Sequence, residues 1–200
     1  IGVEVADFTY TQQTHTTNVK RVYARERGQS FPETDGMITD VPGICLVTSY
    51  ADCVPLYFVD PVKKVIGLSH SGWRGTVGKI GKVTVEKMEE EFGCDPADIL
   101  GAVGPSICQD CYEVSEDVIK KFRENYDENL WPEIFYQKEN GKYQLNLWKA
   151  NESVFLESGI LPEHIAVTNV CTHCNPDILF SHRTTGNERG TLSAFLALKK

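Results

Sequence analysis

The sequence predicts an α+β protein, a single domain built as a mixed sandwich of β-sheets flanked by helices. Short apolar runs bounded by turn residues crowd the first seventy positions, and a three-to-four-residue apolar period sets in only after Arg74. The two kinds of segment never settle into a regular strand–helix alternation, which argues against a doubly wound fold. No glycine-rich nucleotide fingerprint is present, and Gly72-Trp73-Arg74-Gly75 lacks the Lys-Ser/Thr end of a phosphate-cradling loop. With 200 residues, 41% hydrophobic and 24% charged, the chain is long enough for a real core, and one domain over 1–200 is expected.

In order, residues 1–10 alternate loosely and are read as a strand, followed by a polar, hydroxyl-rich segment around His15. Val19 to Tyr23 resumes a strand pattern, and 26–36 is read as a long polar loop. Met37 to Asp40 and Ile44 to Thr48 are strands separated by a Pro42-Gly43 turn. Val54 to Val59, a turn at Asp60-Pro61, and Val65 to Leu68 read as an antiparallel pair running into Ser69-His70-Ser71-Gly72-Trp73-Arg74-Gly75. Val77, Gly81, Val85, Met88 and Phe92 mark one amphipathic helix ended by Gly93, with the acidic run Glu89-Glu90-Glu91 on its solvated face. Asp95-Pro96 caps a short turn, and Ile99 to Val103 is a buried strand. Ser115 is expected to cap a helix through Tyr126, and 127–145 to be an irregular loop or small hairpin. Asn146 caps a further helix stopped by Gly159. Ile165 to Val170 and Thr191 to Leu198 are strands on either side of a polar segment, Cys171 to Gly190.

Formal net charge is −8 with scattered basic residues, so no nucleic-acid partner is expected. No stretch is apolar enough to span a membrane, and no basic-then-apolar leader opens the chain. Seven cysteines without a secretion signal read as reduced thiols in the cytoplasm. A monomer or weak homodimer is expected.

Chemistry concentrates at Cys53 and His70. They lie seventeen positions apart, yet the head of one strand and the tail of its antiparallel neighbour are adjacent in space. Two readings stand. With His15, they form a two-His, one-Cys ligand set for zinc with a fourth position left open. Without metal, His70 activates Cys53 as a nucleophile. The pairs Cys108–Cys111 and Cys171–Cys174 are each C-x-x-C, but their separation far exceeds ordinary ribbon spacing. Incidental reduced thiols are expected there in preference to a four-thiolate zinc site.

At these segments the chain resembles the laccase-domain family, also called YfiH-type or polyphenol-oxidase-like. Gln13-Thr14-His15 resembles its Q-x-H segment, Ala51-Asp52-Cys53-Val54-Pro55 its A-D-C-x-P, and His70-Ser71-Gly72-Trp73-Arg74-Gly75 its H-x-G-W-R-G. Gly104-Pro105-Ser106-Ile107 with Cys111-Tyr112-Glu113-Val114, and Cys171-Thr172 with Ser181-His182-Arg183, match two further segments. The chain departs at Cys108, where Gly is expected. It also starts on Ile close to the first motif, so an N-terminal portion of the family domain is expected to be missing.

The resemblance implies zinc held by His15, Cys53 and His70, which are then also the catalytic centre. It implies phosphorolysis of adenosine, inosine, guanosine or methylthioadenosine, together with deamination of adenosine. The partners are then purine nucleosides and phosphate. Arg74 and Arg183 lie in matching motifs and are assigned to substrate or phosphate by their charge. Glu113 is a candidate proton carrier, with helix capping as its competing role. Two alternatives remain. One is a Cys–His amidase that edits peptidoglycan precursors. The other is a copper-dependent polyphenol oxidase, for which five histidines are too few to build a multicopper, imidazole-rich centre.

Overall fold

In a computed structural model that describes residues 2–199, the chain opens with β1 (Phe8–Thr11), β2 (Val19–Arg21), β3 (Ser30–Phe31), β4 (Gly36–Thr39), β5 (Cys45–Tyr50), β6 (Val54–Asp60) and β7 (Val65–Ser71). Helices α1 (Trp73–Val77) and α2 (Ile80–Phe92), strands β8 (Leu100–Val103) and β9 (Glu113–Val114), and helices α3 (Glu116–Asn125) and α4 (Trp131–Ile134) follow. The chain ends with β10 (Phe135–Gln137), β11 (Tyr143–Leu145), α5 (Leu147–Glu157), β12 (Ile165–Val167), α6 (His182–Thr185) and β13 (Leu192–Ala197).

Three sheets result. A six-stranded sheet has the order β12-β8-β6-β7-β4-β2, a four-stranded sheet the order β13-β5-β1-β3, and a small sheet the order β10-β11-β9. The six-stranded sheet is the middle layer of the molecule. One face meets the four-stranded sheet through Met37, Ile44, Leu46, Ile66 and Leu68. The other meets α2, α3 and α5 through Phe58, Ile80, Val85, Met88, Phe122 and Phe155. Each face of such a layer must bury apolar surface, so the predicted mixed sandwich flanked by helices is what forms. Phe58 and Phe155 pack edge to face at 5.1 Å between ring centroids. No helix among the described residues is long and apolar enough to cross a membrane.

β7 lies at the centre, and all seven of its residues are buried. Successive side chains on a strand point to opposite faces. Ile66, Leu68 and His70 therefore share the face toward the four-stranded sheet, while Ser69 and Ser71 face the helices. Ser69 Oγ bonds Thr84 Oγ1 of α2 at 2.7 Å, and Ser71 Oγ bonds Asn151 Oδ1 of α5 at 2.9 Å. These hydroxyls extend the strand beyond the apolar run Val65 to Leu68, because buried polar groups are tolerated when partnered.

Several expectations hold in detail. Asn146 Oδ1 accepts from Lys149 N at 3.0 Å, and Asp95 Oδ1 accepts from Ala97 N at 3.0 Å. Gly93 closes α2 at φ 65° and Gly159 follows α5 at φ 92°. Others are corrected. The single helix expected after Arg74 is two, because Lys79 turns left-handed at φ 57° and ends the first. A Cβ on Gly78 would stand 2.6 Å from Thr17 Cγ2, so the chain passes too close there for any other residue. Ser115 does not cap α3 with its side chain, which bonds Asp117 Oδ1 instead. The loop 26–36 contains β3, paired in parallel with β1. The strand expected over Ile165 to Val170 stops at Val167, before Asn169 at φ 53°. In segment 127–145 the expected small hairpin does form, as β10–β11 turned at Gly141 with φ 78°, after the short helix α4.

Candidate active site and metal centres

The antiparallel register of β6 and β7 places Pro55 opposite His70 and Val54 opposite Ser71. Cys53, one residue before β6, therefore falls beside Gly72. A Cβ built on Gly72 would lie 3.0 Å from Cys53 Sγ and 2.9 Å from His15 Cδ2. Glycine is required here because the thiol and the second imidazole occupy that space. His15 arrives from the bend between β1 and β2 with φ 62°, and its ring centroid is 4.9 Å from that of His70. One donor atom each from His15, Cys53 and His70 lies within 4.8 Å of the others.

Asp35, fully buried just before β4, organises this cluster. Its carboxylate accepts from the backbone N–H of Thr14 (3.2 Å), His15 (3.0 Å) and Thr16 (2.8 Å) and from Thr16 Oγ1 (2.7 Å). It also accepts from His70 Nδ1 at 2.9 Å, which leaves Nε2 free for the cluster. Burial opposes the carboxylate's charge, but the bonds from His70 and Thr16 outweigh it and hold Asp35 well below the usual range. Burial likewise opposes charge on His70, and the bonds to Asp35 and Cys53 reverse it, raising the imidazole to about 9. Burial pushes the Cys53 thiol up, and hydrogen bonds from His15 and His70 bring it down to about 6. Both shifts run in the direction that favours a Cys53 thiolate beside a charged His70.

His15, Cys53 and His70 line a cleft of about 540 Å3, together with Gln13, Tyr50, His182 and Arg189. That volume falls within the roughly 300–1,000 Å3 of small-molecule sites. The Gln13 side chain pins the cleft's edge, donating to the Ser49 carbonyl at 2.7 Å and accepting from Ser49 N at 2.8 Å. A smaller hollow of about 120 Å3 adjoins it, sharing Cys53 and His182 and adding Tyr112 and Arg183. Asp52, at φ 82° on the wall of the smaller hollow, accepts from Thr172 Oγ1 (2.6 Å) and Arg183 N (2.7 Å).

The remaining expected residues stand as follows. Arg183 lies 5.4 Å from the Tyr112 ring centre and donates to the Glu113 carbonyl at 3.1 Å. Arg74, in the first turn of α1, rests 4.3 Å from the Trp73 ring centre and does not line the main cleft. The Glu113 carboxylate is engaged by Lys138 Nζ at 2.6 Å and Asn140 Nδ2 at 3.3 Å, outside that cleft. The Lys138 bond holds it below the usual carboxylate range. The two C-x-x-C pairs, expected as incidental thiols, are brought together: the sulfurs of Cys108, Cys111, Cys171 and Cys174 also lie within 4.8 Å of one another.

Sequence reasoning missed Asp35, Asp52, Tyr112, His182 and Arg189. Arg189 is the most telling, because its Nε is buried with no hydrogen-bond partner among the described residues. Asp35 sits in Thr34-Asp35-Gly36, which reads as a turn triplet, and only its five donors reveal its role.

The sequence profile of the family described as "Multi-copper polyphenol oxidoreductase laccase" matches residues 1–199. The chain is 34% identical over 207 aligned residues to "Purine nucleoside phosphorylase YlmD" of Bacillus subtilis, covering all of this chain and 73% of that protein. It is 34% identical over 197 residues to "Adenosine deaminase RL5" of an unknown prokaryotic organism, covering 95% of this chain and 74% of that one. Among solved structures, the Bacillus licheniformis hypothetical protein YfiH superposes with a TM-score of 0.95 at 33% identity, covering 99% of this chain and 76% of that one.

Proposed function

The chain belongs to the multi-copper polyphenol oxidoreductase laccase family, and we propose that it is a zinc-dependent purine nucleoside phosphorylase that also deaminates adenosine. Its substrates are adenosine, inosine, guanosine or methylthioadenosine together with phosphate. The observation that carries this reading is the convergence of His15, Cys53 and His70 donor atoms within 4.8 Å on the wall of a nucleoside-sized cleft. The names of relatives about one-third identical support the substrate class. Seven unpaired cysteines suit a reducing cytoplasm.

The donor set fits zinc. Two imidazoles and a thiolate are borderline-soft ligands, Asp35 fixes the tautomer of one imidazole, and Gly72 leaves the sulfur room. Zinc bound there supplies Lewis acidity at an open fourth position. Arg189 lines the cleft, and its guanidinium takes the phosphate by charge-assisted bonds. Arg183 binds substrate from the adjoining hollow, and Arg74, which lines neither hollow, adds positive charge that is felt at Tyr112. Burial pushes the Tyr112 phenol up, so its hydroxyl stays a neutral donor. In phosphorolysis a phosphate oxygen bonds to C1′ while the C1′–N9 bond breaks, and the electron pair leaves with the purine. The purine then needs a proton. His182 lines both hollows, and with Nδ1 donating to the Gly186 carbonyl at 3.2 Å its Nε2 is left to exchange that proton.

A second reading, the Cys–His amidase, is favoured by one observation: Cys53 held down to about 6 beside a raised imidazole is an activated nucleophile. Polyphenol oxidation finds less support. Among the described residues two histidines, His15 and His70, share a convergent donor set, and His173 is turned to Thr184 Oγ1 at 2.8 Å.

The test is turnover of adenosine and inosine by the zinc-loaded protein, with and without phosphate, for wild type and Cys53→Ala. Free base and ribose 1-phosphate are expected only with phosphate, and inosine from adenosine without it, both lost in the variant. Arg189→Ala is expected to raise the KM for phosphate about tenfold or more. If well-folded, zinc-loaded protein consumes neither nucleoside, the purine reading fails. Amide hydrolysis that survives chelation and is stopped by iodoacetamide would establish the amidase in its place.

A further inference from the structure

We propose that Cys108, Cys111, Cys171 and Cys174 form a second metal centre, a structural four-thiolate zinc site that staples together the loops carrying Tyr112 and Arg183. This holds whatever reaction the cleft performs.

The four sulfurs lie within 4.8 Å of one another, with Cys111 and Cys174 at 3.4 Å. A tetrahedral zinc with Zn–S bonds of about 2.3 Å sets its sulfurs about 3.8 Å apart, so small shifts complete the site. Each C-x-x-C sits on a tight turn: Cys108 opens the 3-10 turn Gln109–Cys111, whose closing bond is Cys111 N to Cys108 O at 3.2 Å. The sulfur of Cys171, 6% exposed, accepts two backbone N–H groups, from Cys108 at 3.3 Å and Cys174 at 3.4 Å. Amides aimed at a buried sulfur stabilise the thiolate that a metal requires. Packing does not explain the arrangement, because Cys174 is an exposed residue and its sulfur still lies 3.4 Å from that of Cys111. Several thiolates at this range repel one another unless a cation sits among them.

His173 lies in the same turn but bonds Thr184 Oγ1, so the donor set is sulfur alone. Four protein ligands leave no open position, which is the mark of a structural zinc. The consequence is architectural. The first pair immediately precedes Tyr112, and the second begins the segment that leads to His182 and Arg183. Without the metal, these loops are joined by the isolated Ser106–Cys171 bridge, the Arg183–Glu113 bond and the Asp52 contacts.

The test uses the full chain purified without added metal under reducing conditions. Cys53→Ala vacates the first centre, and bound metal is measured by mass spectrometry. The variant is expected to retain about one zinc per chain, and Cys53→Ala/Cys111→Ser to lose it. Should the double variant fail to fold, the Cys53→Ala protein alone decides. Replacing its zinc with cobalt is expected to give the thiolate-to-metal charge-transfer band of a four-sulfur site. Stripping its metal is expected to speed proteolysis within 107–114 and 171–185 before other segments. A folded Cys53→Ala protein with four freely titratable thiols at these positions and no metal would overturn the proposal. So would iron in place of zinc.

Discussion

The cluster of His15, Cys53 and His70 and the cluster of four cysteines gather donor atoms to the same closeness, within 4.8 Å, by opposite constructions. The first draws one residue each from a bend, a strand head and a strand tail. It is oriented by a buried carboxylate and opens on a cleft of about 540 Å3. The second draws two residues from each of two tight turns, and backbone amides of Cys108 and Cys174 fasten the Cys171 sulfur. A mixed, open donor set backed by Asp35 is arranged for chemistry. A closed sulfur set is arranged to hold loops in place.

The contrast is broken most directly at Cys53. Cys53→Ala is expected to lower kcat/KM for nucleoside by at least about 10²–10³-fold, the scale of removing a group that acts in the transition state. Its thermal melt is expected to stay near that of wild type. Collapse of the melt without loss of turnover would reverse the roles assigned to the two clusters. Asp35→Asn comes next. It is expected to weaken zinc binding at the first cluster about 10–100-fold in chelator competition. It should also cost about 3–5 kcal/mol in urea unfolding, because His70 and the Thr14–Thr16 backbone lose a buried charged acceptor.

Cys174→Ser probes the other side. Cross-linking distant loops is worth about 2–4 kcal/mol, so the melting temperature is expected to drop by roughly 5–10 °C. An unchanged melt would remove the structural role. The smallest effect sharpens the difference in thiol chemistry. In metal-free protein, a thiol held below its ordinary range is deprotonated at every pH above its folded pKa. Alkylation of Cys53 by iodoacetamide is therefore expected to run at full rate at pH 7 and to fall as pH drops through about 6. Peptide mapping of the alkylated sites checks this, and a half-maximal rate near the ordinary thiol range would show that His15 and His70 do not hold the thiolate.

Much of this was legible in the sequence where the cause is local. The antiparallel runs Val54 to Val59 and Val65 to Leu68 announced themselves by composition and a Pro-bearing turn, and strand geometry alone then set Cys53 beside His70. The caps at Asn146 and Asp95 and the stop at Gly93 were equally readable. The break at Lys79 was not, because helical periodicity continues across it. It arises where α1 must pass close to Thr17. Asp35 was hidden because its five donors come from Thr14 to Thr16 and from His70, all distant along the chain.

The sequence by itself determined the fold class, most of the element order, and the pairing of Cys53 with His70, since hydrophobic period and turn chemistry act over a few positions; His15 joined them only through the family resemblance. Tertiary structure alone decided the meeting of the two C-x-x-C pairs, whose sulfurs at Cys111 and Cys174 touch across 63 positions. β12 lies parallel to β8, pairing Val167 with Val103, so both strands deliver their following loops to the same edge of the sheet. Strand pairing over such a distance depends on the whole core closing at once. No local pattern encodes it, and with it came the second cluster, the placement of Arg183 against Tyr112, and the shape of the cleft.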